Sequence, residues 1–308
     1  MNHDTALSAR GGVGNYRGGR PVKDDARKIM TLETRDGVAL LGYAGLGATA
    51  LRTEPADWMS AVLRGRNFPL KQSLDVLAEA MKKQLPRHLV KMPLDAIAAH
   101  NVIVPAFLDD KLRLYSIDLE FAPDRKSYRF RYTRHVAKEP SSTAPPTTQR
   151  FALGGSGAHY AMKDRERLRT LLRIIKAHDR GKVSALGVAD QLAALNNDAH
   201  LAVADKSVGP RCIVVWRYRK GGVHGGGGGL QYYSGKTRDA SSPGLPAIAC
   251  GQDIGAIAKV FTSPQSMSRM ESMLAAMERG EPVEWPDDTD EINAALARFP
   301  HEPDEKLR

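Results

Sequence analysis

The segment from Ala26 to Ala50 constrains the fold most, because it carries the signals of a strand pair followed by a glycine-rich turn. Polar and apolar side chains alternate loosely over residues 28–33, and Asp36-Gly37 is typical of a hairpin turn. Val38-Ala39-Leu40-Leu41 predicts a short buried strand that stops at Gly42. The segment therefore predicts two antiparallel strands, and we expect a helix over residues 48–63 after them.

The glycines at positions 42, 45 and 47 allow two interpretations. A turn between a buried strand and a helix start presents backbone N–H groups at the positive end of the helix dipole, where they can hold an anion or an oxyanion. Alternatively, the glycines only let the helix pack closely against the sheet. The segment by itself leaves both interpretations open.

The next part of the chain predicts a helix followed by three strands. Apolar residues spaced three and four apart run from Leu74 to Leu85, and Pro86 is the expected stop. Strands are expected over residues 101–107, 112–121 and 127–135, with turns between them. In the last strand, aromatic residues alternate with arginines, which predicts one buried face and one cationic face.

The second half repeats this arrangement. Phe151-Ala152-Leu153 is expected to resume the sheet, and the glycines from Gly154 lead into a long helix that reaches Ile175. A further helix over 184–195 and strands over 212–218 and 230–233 follow. Blocks of strands and blocks of helices indicate an α+β fold and not a doubly wound sheet.

Four short segments occur in the order and approximate spacing of a proteasome-type peptidase, and together they most resemble the bacterial HslV-type subunit. They are Asp4-Thr5-Ala6-Leu7-Ser8, Ala26-Arg27-Lys28-Ile29, Gly42-Tyr43-Ala44-Gly45, and Gly154-Gly155-Ser156-Gly157-Ala158-His159-Tyr160-Ala161. The resemblance spans residue 4 to about residue 218. It implies an α+β, four-layer αββα sandwich of the Ntn-hydrolase type over residues 1–252, with a helical extension over 253–308.

Site residues follow from the same resemblance. Proteasome-type peptidases use the first residue of the mature chain as nucleophile and its own α-amino group as base. The resemblance implies that Asp4 is the structural acid, Lys28 the cation that lowers the amine pKa, and Gly45 the oxyanion donor. Ser156 matches the serine that contacts the terminus. The later Asp-x-x-Ser-Gly motif has only an approximate counterpart at residues 205–209.

The nucleophile is the main departure from the family, where a whole strand precedes the matched aspartate. Only three residues precede Asp4 here, so we expect the chain as given to be inactive. Either the true chain starts upstream, or catalysis is lost and the protein is a non-catalytic oligomeric scaffold of the same fold. Cleavage that exposes Thr5 is a third possibility, at the wrong end of the strand.

Net charge and composition limit the other classes of protein to which the chain can belong. A net charge of +10 and a pI near 9.6 allow a basic polyanion-binding protein, but the arginines are spread over all elements, which favours non-specific binding only. No apolar run reaches the roughly 20 residues of a membrane helix. Two separated cysteines exclude a zinc site by spacing and favour a cytoplasmic protein with reduced thiols.

The remaining expectations concern partners and the C-terminus. No cofactor or metal is expected, and a homo-oligomer, either a ring or a dimer, is expected with a possible ATPase or other protein partner. The Gly-rich tract at 221–229 predicts a flexible loop within residues 1–252. Residues Met267, Met270, Leu274 and Met277 form a helical stripe that is either core or an adaptable docking face. An acidic segment at 281–291 and a short helix to Phe299 follow.

Overall fold

The protein, seen in a computed structural model, is a mixed α and β chain with a seven-stranded sheet and a four-stranded sheet. The structure describes residues 2–4, 26–45, 47, 53–88, 100–123, 127–135, 152–203, 208–219, 227–240, 244–261 and 264–281. The strands are β1 Asn2–Asp4, β2 Ile29–Thr34, β3 Gly37–Ala44, β4 Asn101–Leu108, β5 Lys111–Phe121, β6 Tyr128–Arg134, β7 Arg211–Arg217, β8 Gly228–Ser234, β9 Thr237–Asp239, β10 Ala247–Ala249 and β11 Gln252–Asp253. The helices are α1 Pro55–Leu63, α2 Leu70–His88, α3 Ser156–Lys163, α4 Arg165–Asp179, α5 Ala185–Ala202, α6 Ile254–Phe261 and α7 Pro264–Glu278.

The hairpin β2–β3 forms the middle of the large sheet, whose strand order is β11-β10-β2-β3-β4-β5-β6. The predicted hairpin is present, but its turn residues are Arg35 and Asp36 and not Asp36-Gly37, because Gly37 pairs with Thr34 as the first residue of β3. The predicted end of the strand at Gly42 is wrong, because β3 continues to Ala44. Gly42 pairs with Ile29 on one side and with Ile103 on the other, so two neighbouring strands hold the glycine in the sheet.

Helix α1 begins at Pro55, and not near residue 48 as predicted. A backbone N–H in the first turn of a helix has no partner within the helix, so proline, which lacks this N–H, is favoured there. Pro55 therefore starts the helix instead of breaking it. Gly45 lies ten positions earlier, and the two residues before Pro55 are not helical. The glycine turn is therefore not the N-terminal turn of α1, and residues 46 and 48–52 between them lie outside the described part of the chain.

Helix α2 covers one face of the large sheet together with α1, and this contact is the main apolar core. Met30, Leu41 and Val104 contribute to it from the sheet, and Leu74 and Leu77 contribute from α2. The predicted stop at Pro86 is wrong, because α2 continues to His88. Pro86 sits in the last turn, where a single lost backbone hydrogen bond is tolerated.

The strands β4, β5 and β6 lie close to their predicted bounds. In β6, Tyr128 and Tyr132 pack against the core below α2, while Arg129 and Arg131 are exposed on the opposite face, which confirms the predicted alternation.

Residues 152–203 form three helices where the sequence predicted two. Ala152 and Leu153 are not in a strand, so the expectation that the sheet resumes there is wrong. The expected long helix is two helices, because Asp164 ends α3 and accepts a hydrogen bond from Arg167 N as the cap of α4. Ser184 caps α5, which is longer than expected and ends at Ala202.

The four-stranded sheet, in the order β1-β7-β8-β9, lies against the large sheet. Ile213, Val215 and Tyr232 of the small sheet pack on Ile29 and Leu40 of the large one. On the opposite face of the small sheet, Cys212, Val214 and Tyr233 pack against α5. Helices α3 and α4 lie beside α5.

The C-terminal part adds β10 and β11 to the large sheet, where β10 runs parallel to β2. The methionine stripe on α7 is solvent-exposed, with fractions from 42% for Met267 to 55% for Met277. The predicted helix to Phe299 and most of the acidic segment lie outside the described residues, as does the Gly-rich tract up to residue 226.

Two general properties of the described ranges concern membranes and metals. Their helices all fall short of the length and apolar character that crossing a bilayer requires. In those same ranges, His, Cys, Asp and Glu side chains do not gather in groups of three that could hold a metal ion.

Candidate functional site

Lys28 is the most informative of the predicted site residues, because a lysine is rarely buried without a specific partner. It comes just before β2, and its backbone carbonyl accepts a hydrogen bond from Tyr43 N at 2.8 Å, which extends the β2–β3 pairing by one step. The residue is only 3% exposed. Its Nζ donates to the carbonyl oxygen of Gly45 at 3.0 Å. The structure thus brings together two of the four residues that the family resemblance matched.

Arg27 fixes the backbone next to Lys28 by tying the start of β2 to the start of α1. Its Nε donates to Glu54 Oε2 at 2.7 Å, and its backbone N donates to the same oxygen at 3.1 Å. A terminal nitrogen of its guanidinium reaches Asp57 Oδ2 at 2.7 Å. Burial raises the pKa of the neighbouring Tyr232 to about 12, although the Arg27 charge opposes this shift. The phenol is therefore neutral at physiological pH.

Gly45 follows β3 in a conformation that only glycine adopts without strain, with a φ of +136°. The space beside it is also filled. A Cβ atom at this position would lie 2.3 Å from Cδ2 of the His100 ring and 2.9 Å from the hydroxyl of Tyr43. Two independent constraints, backbone angle and steric room, therefore require glycine here.

The second glycine turn lies against the same end of β3. A Cβ atom on Gly154 would lie 2.7 Å from Asn101 Oδ1 and 3.4 Å from Ala44 Cβ. Gly155 has a φ of +77° and precedes Ser156, which is the first residue of α3. Gly154, two residues before Ser156, therefore lies beside Ala44, the residue before Gly45, while the Ser156 side chain lies outside the described part of the chain.

Asp4 ends β1, and its backbone pairs with Cys212 of β7 in the small sheet. Strand β1 also contacts β3, the strand that leads to Gly45. The backbone of Asp4 thus lies in the sheet that packs on the β2–β3 hairpin, and its side chain is outside the described residues. Of residues 205–209, only Val208 and Gly209 are described.

Sequence reasoning missed two residues around this site, His100 and Asn101, and it named Tyr43 only as part of the Gly42–Gly45 motif. His100 is 2% exposed, and its ring centroid lies 6.0 Å from that of Tyr43. The buried Oδ1 atom of Asn101 accepts no hydrogen bond from the described residues. Only the pairing of Tyr43 with Val102 and of Ala44 with Asn101 places these side chains at the site, and a pairing register is not written in a local motif.

The comparisons with known proteins add little to this geometry. No protein-family model matches the chain, and no curated protein matches it. One solved structure that matches is a Gly-1 mutant of Anbu from Hyphomicrobium sp. strain MC1, at 14% sequence identity and a TM-score of 0.37. That match covers 92% of this chain and 94% of the Anbu chain. At this level of similarity, function has to be argued from the residues of the site.

Proposed function

We propose that the protein is a proteasome-like amide hydrolase that uses an N-terminal nucleophile. In this proposal Lys28 is the cation, Gly45 the backbone oxyanion donor, Asp4 the structural acid and Ser156 a contact for the chain terminus. The observation that carries the proposal is the hydrogen bond from the buried Lys28 ammonium to the Gly45 carbonyl at 3.0 Å. It joins two residues that the family resemblance had matched separately.

The physical chemistry of this pair suits the reaction. A buried ammonium favours the neutral form of a nearby amine, and an N-terminal nucleophile needs its own α-amine neutral in order to accept the hydroxyl proton. The same ammonium holds the Gly45 carbonyl and so restricts rotation of the backbone that would donate to an oxyanion. Both effects are absent if Lys28 merely fills space.

The proposal extends to architecture and assembly. The contacts of α1 and α2, the two sheets and α5 support a four-layer αββα sandwich, with residues 1–252 as the hydrolase domain and 253–308 as an extension. We further propose a cytoplasmic homo-oligomer, with an ATPase or another protein as a possible partner.

The test compares the 308-residue chain with a version lengthened by the in-frame upstream codons. The proposal predicts that these codons encode a Thr, Ser or Cys followed by about fifteen residues of a strand pair. The longer chain hydrolyses short fluorogenic peptides, and the 308-residue chain does not. In the longer chain, Lys28→Ala lowers kcat/KM by roughly a hundredfold or more, because the amine loses the cation that keeps it neutral.

Lys82, an exposed lysine on α2, provides the matched control. Lys82→Ala leaves kcat/KM unchanged, and thermal unfolding shows that both variants are folded. If the 308-residue chain cleaves peptides unaided, the nucleophile is placed wrongly. If the longer chain is folded and oligomeric but inactive, the non-catalytic scaffold is the better description.

A further inference from the structure

Two consecutive residues at the start of β4, His100 and Asn101, each touch a different glycine turn of the candidate site. Successive side chains of a strand point to opposite faces, so a neighbouring pair can reach two separate turns. A Cβ added at Gly45 would meet His100, and one added at Gly154 would meet Asn101. The start of β4 therefore lies between the two turns.

His100 is placed by the strand pairing and held by its burial. Ala44 pairs with Asn101, so the next step of the antiparallel register puts His100 beside Gly45. His100 is 2% exposed, and its ring centroid lies 6.0 Å from that of Tyr43. A ring confined in this way closes one side of the Gly45 backbone, while the Lys28 ammonium holds its carbonyl.

We infer that His100 is a positioning residue, which keeps the Gly45 peptide in place by filling the space beside its Cα and so keeps Lys28 buried against the Gly45 carbonyl. The inference rests on the proposed function, because it concerns the same oxyanion donor. It assigns no proton transfer to His100, whose action is packing.

The direct test measures how readily Lys28 reacts with an amine-acylating reagent. The folded protein is labelled first, and it is then digested so that mass spectrometry can quantify the label on Lys28. Because Lys28 is buried, it is labelled slowly in the unaltered chain. His100→Ala opens the space beside Gly45 and raises the labelling rate of Lys28 about fivefold or more, since local opening exposes the amine. His100→Phe keeps a ring of similar size and leaves the rate within about twofold of the original.

The matched control is Leu74→Ala, a large-to-small change in the main core on α2, which carries neither glycine turn. It lowers the thermal midpoint without increasing the labelling of Lys28. Unchanged Lys28 labelling in His100→Ala would overturn the inference. Equal increases in His100→Ala and His100→Phe would also overturn it, because they would assign the effect to the ring nitrogens and not to packing.

A second measurement tests the steric contact itself. Gly45→Ala lowers the thermal midpoint more than Gly181→Ala, because Gly181 also has a positive φ but no atom lies within 4 Å of a Cβ there. In the double variant Gly45→Ala/His100→Ala, the loss is smaller than the sum of the two single losses. Additive losses would contradict the contact.

Hydrolysis distinguishes a failure of this inference from a failure of the proposed function. In the lengthened chain, His100→Ala lowers kcat about tenfold while KM stays unchanged, as expected for a group that orients an oxyanion donor. The labelling experiment needs no hydrolysis. An inactive lengthened chain therefore contradicts the proposed function, whereas unaltered Lys28 labelling contradicts the positioning role alone.

Discussion

At the scale of single residues, the buried charges are the groups whose removal has the largest consequences. Arg64 at the end of α1 forms an ion pair with Asp253 of β11, and both side chains are buried. The Ser60 hydroxyl donates to the same carboxylate at 3.1 Å. This cluster ties the C-terminal strand to the first helix.

We predict that Asp253→Asn lowers the free energy of unfolding by about 3 kcal/mol, because it removes the Asp253 half of a buried ion pair. Urea unfolding measures the change. The double variant Arg64→Met/Asp253→Leu recovers much of the loss, since it removes both charges and keeps an apolar volume.

The exposed pair Arg129–Glu120, at 2.8 Å, serves as the control. Glu120→Gln changes stability by less than about 0.5 kcal/mol, because water screens exposed ion pairs. Similar losses for Asp253→Asn and Glu120→Gln would show that burial does not determine the effect.

At the scale of elements, Asp190 links α5 to the edge of the small sheet. It accepts a hydrogen bond from the Tyr233 hydroxyl at 2.9 Å and two from the Arg238 guanidinium, at 2.9 and 2.6 Å. The Arg238 hydrogen bond, helped by that of Tyr233, holds the pKa of Asp190 below its ordinary value of 3.8. Burial and the Asp190 carboxylate together raise the pKa of Tyr233.

The sign of the pH effect follows from the lowered pKa. A carboxyl whose folded pKa lies below its unfolded value contributes stability above the unfolded value, and this contribution is lost as the pH falls through the folded pKa. We predict that Asp190→Asn destabilises the protein at pH 7 and that the difference from the unaltered chain shrinks below about pH 4. Thermal midpoints from pH 7 to pH 3 measure it. A difference that does not depend on pH would contradict the prediction.

At the scale of the whole molecule, the arrangement of exposed apolar surface bears on assembly. Helix α7 carries its four-residue stripe on a solvent-exposed face, and Met162 on α3 and Leu201 on α5 are also more than half exposed. Single exposed apolar side chains are common on monomers, but a contiguous apolar stripe such as that of α7 is rare, and it supports the proposed homo-oligomer.

We predict that light scattering at micromolar concentration gives a mass at least twice the 33.6 kDa of one chain. Sedimentation velocity over a range of concentrations checks that the species is specific, since a closed oligomer keeps one sedimentation coefficient. A mass near 33.6 kDa throughout that range would rule out stable self-association.

Local patterns in the sequence determined the type and order of most elements. The hairpin around Asp36 and the alternation in β6 were predictable, because turn chemistry and side-chain period act within a few residues. Bounds were less predictable where one residue has two roles. Pro55 can break a helix or start one, and its neighbours along the chain do not decide between these roles.

In the candidate site too, some residues could be predicted from local sequence and others could not. Lys28 and Gly45 could be selected from the sequence because short motifs surround them, whereas His100 and Asn101 stand in no recognisable motif. Only the tertiary structure placed His100 against Gly45, since contact across two strands depends on their register and not on either local sequence. Likewise, the packing of the β2–β3 hairpin decided that Lys28 is buried against a carbonyl. Burial is a property of the assembled core and not of the single residue.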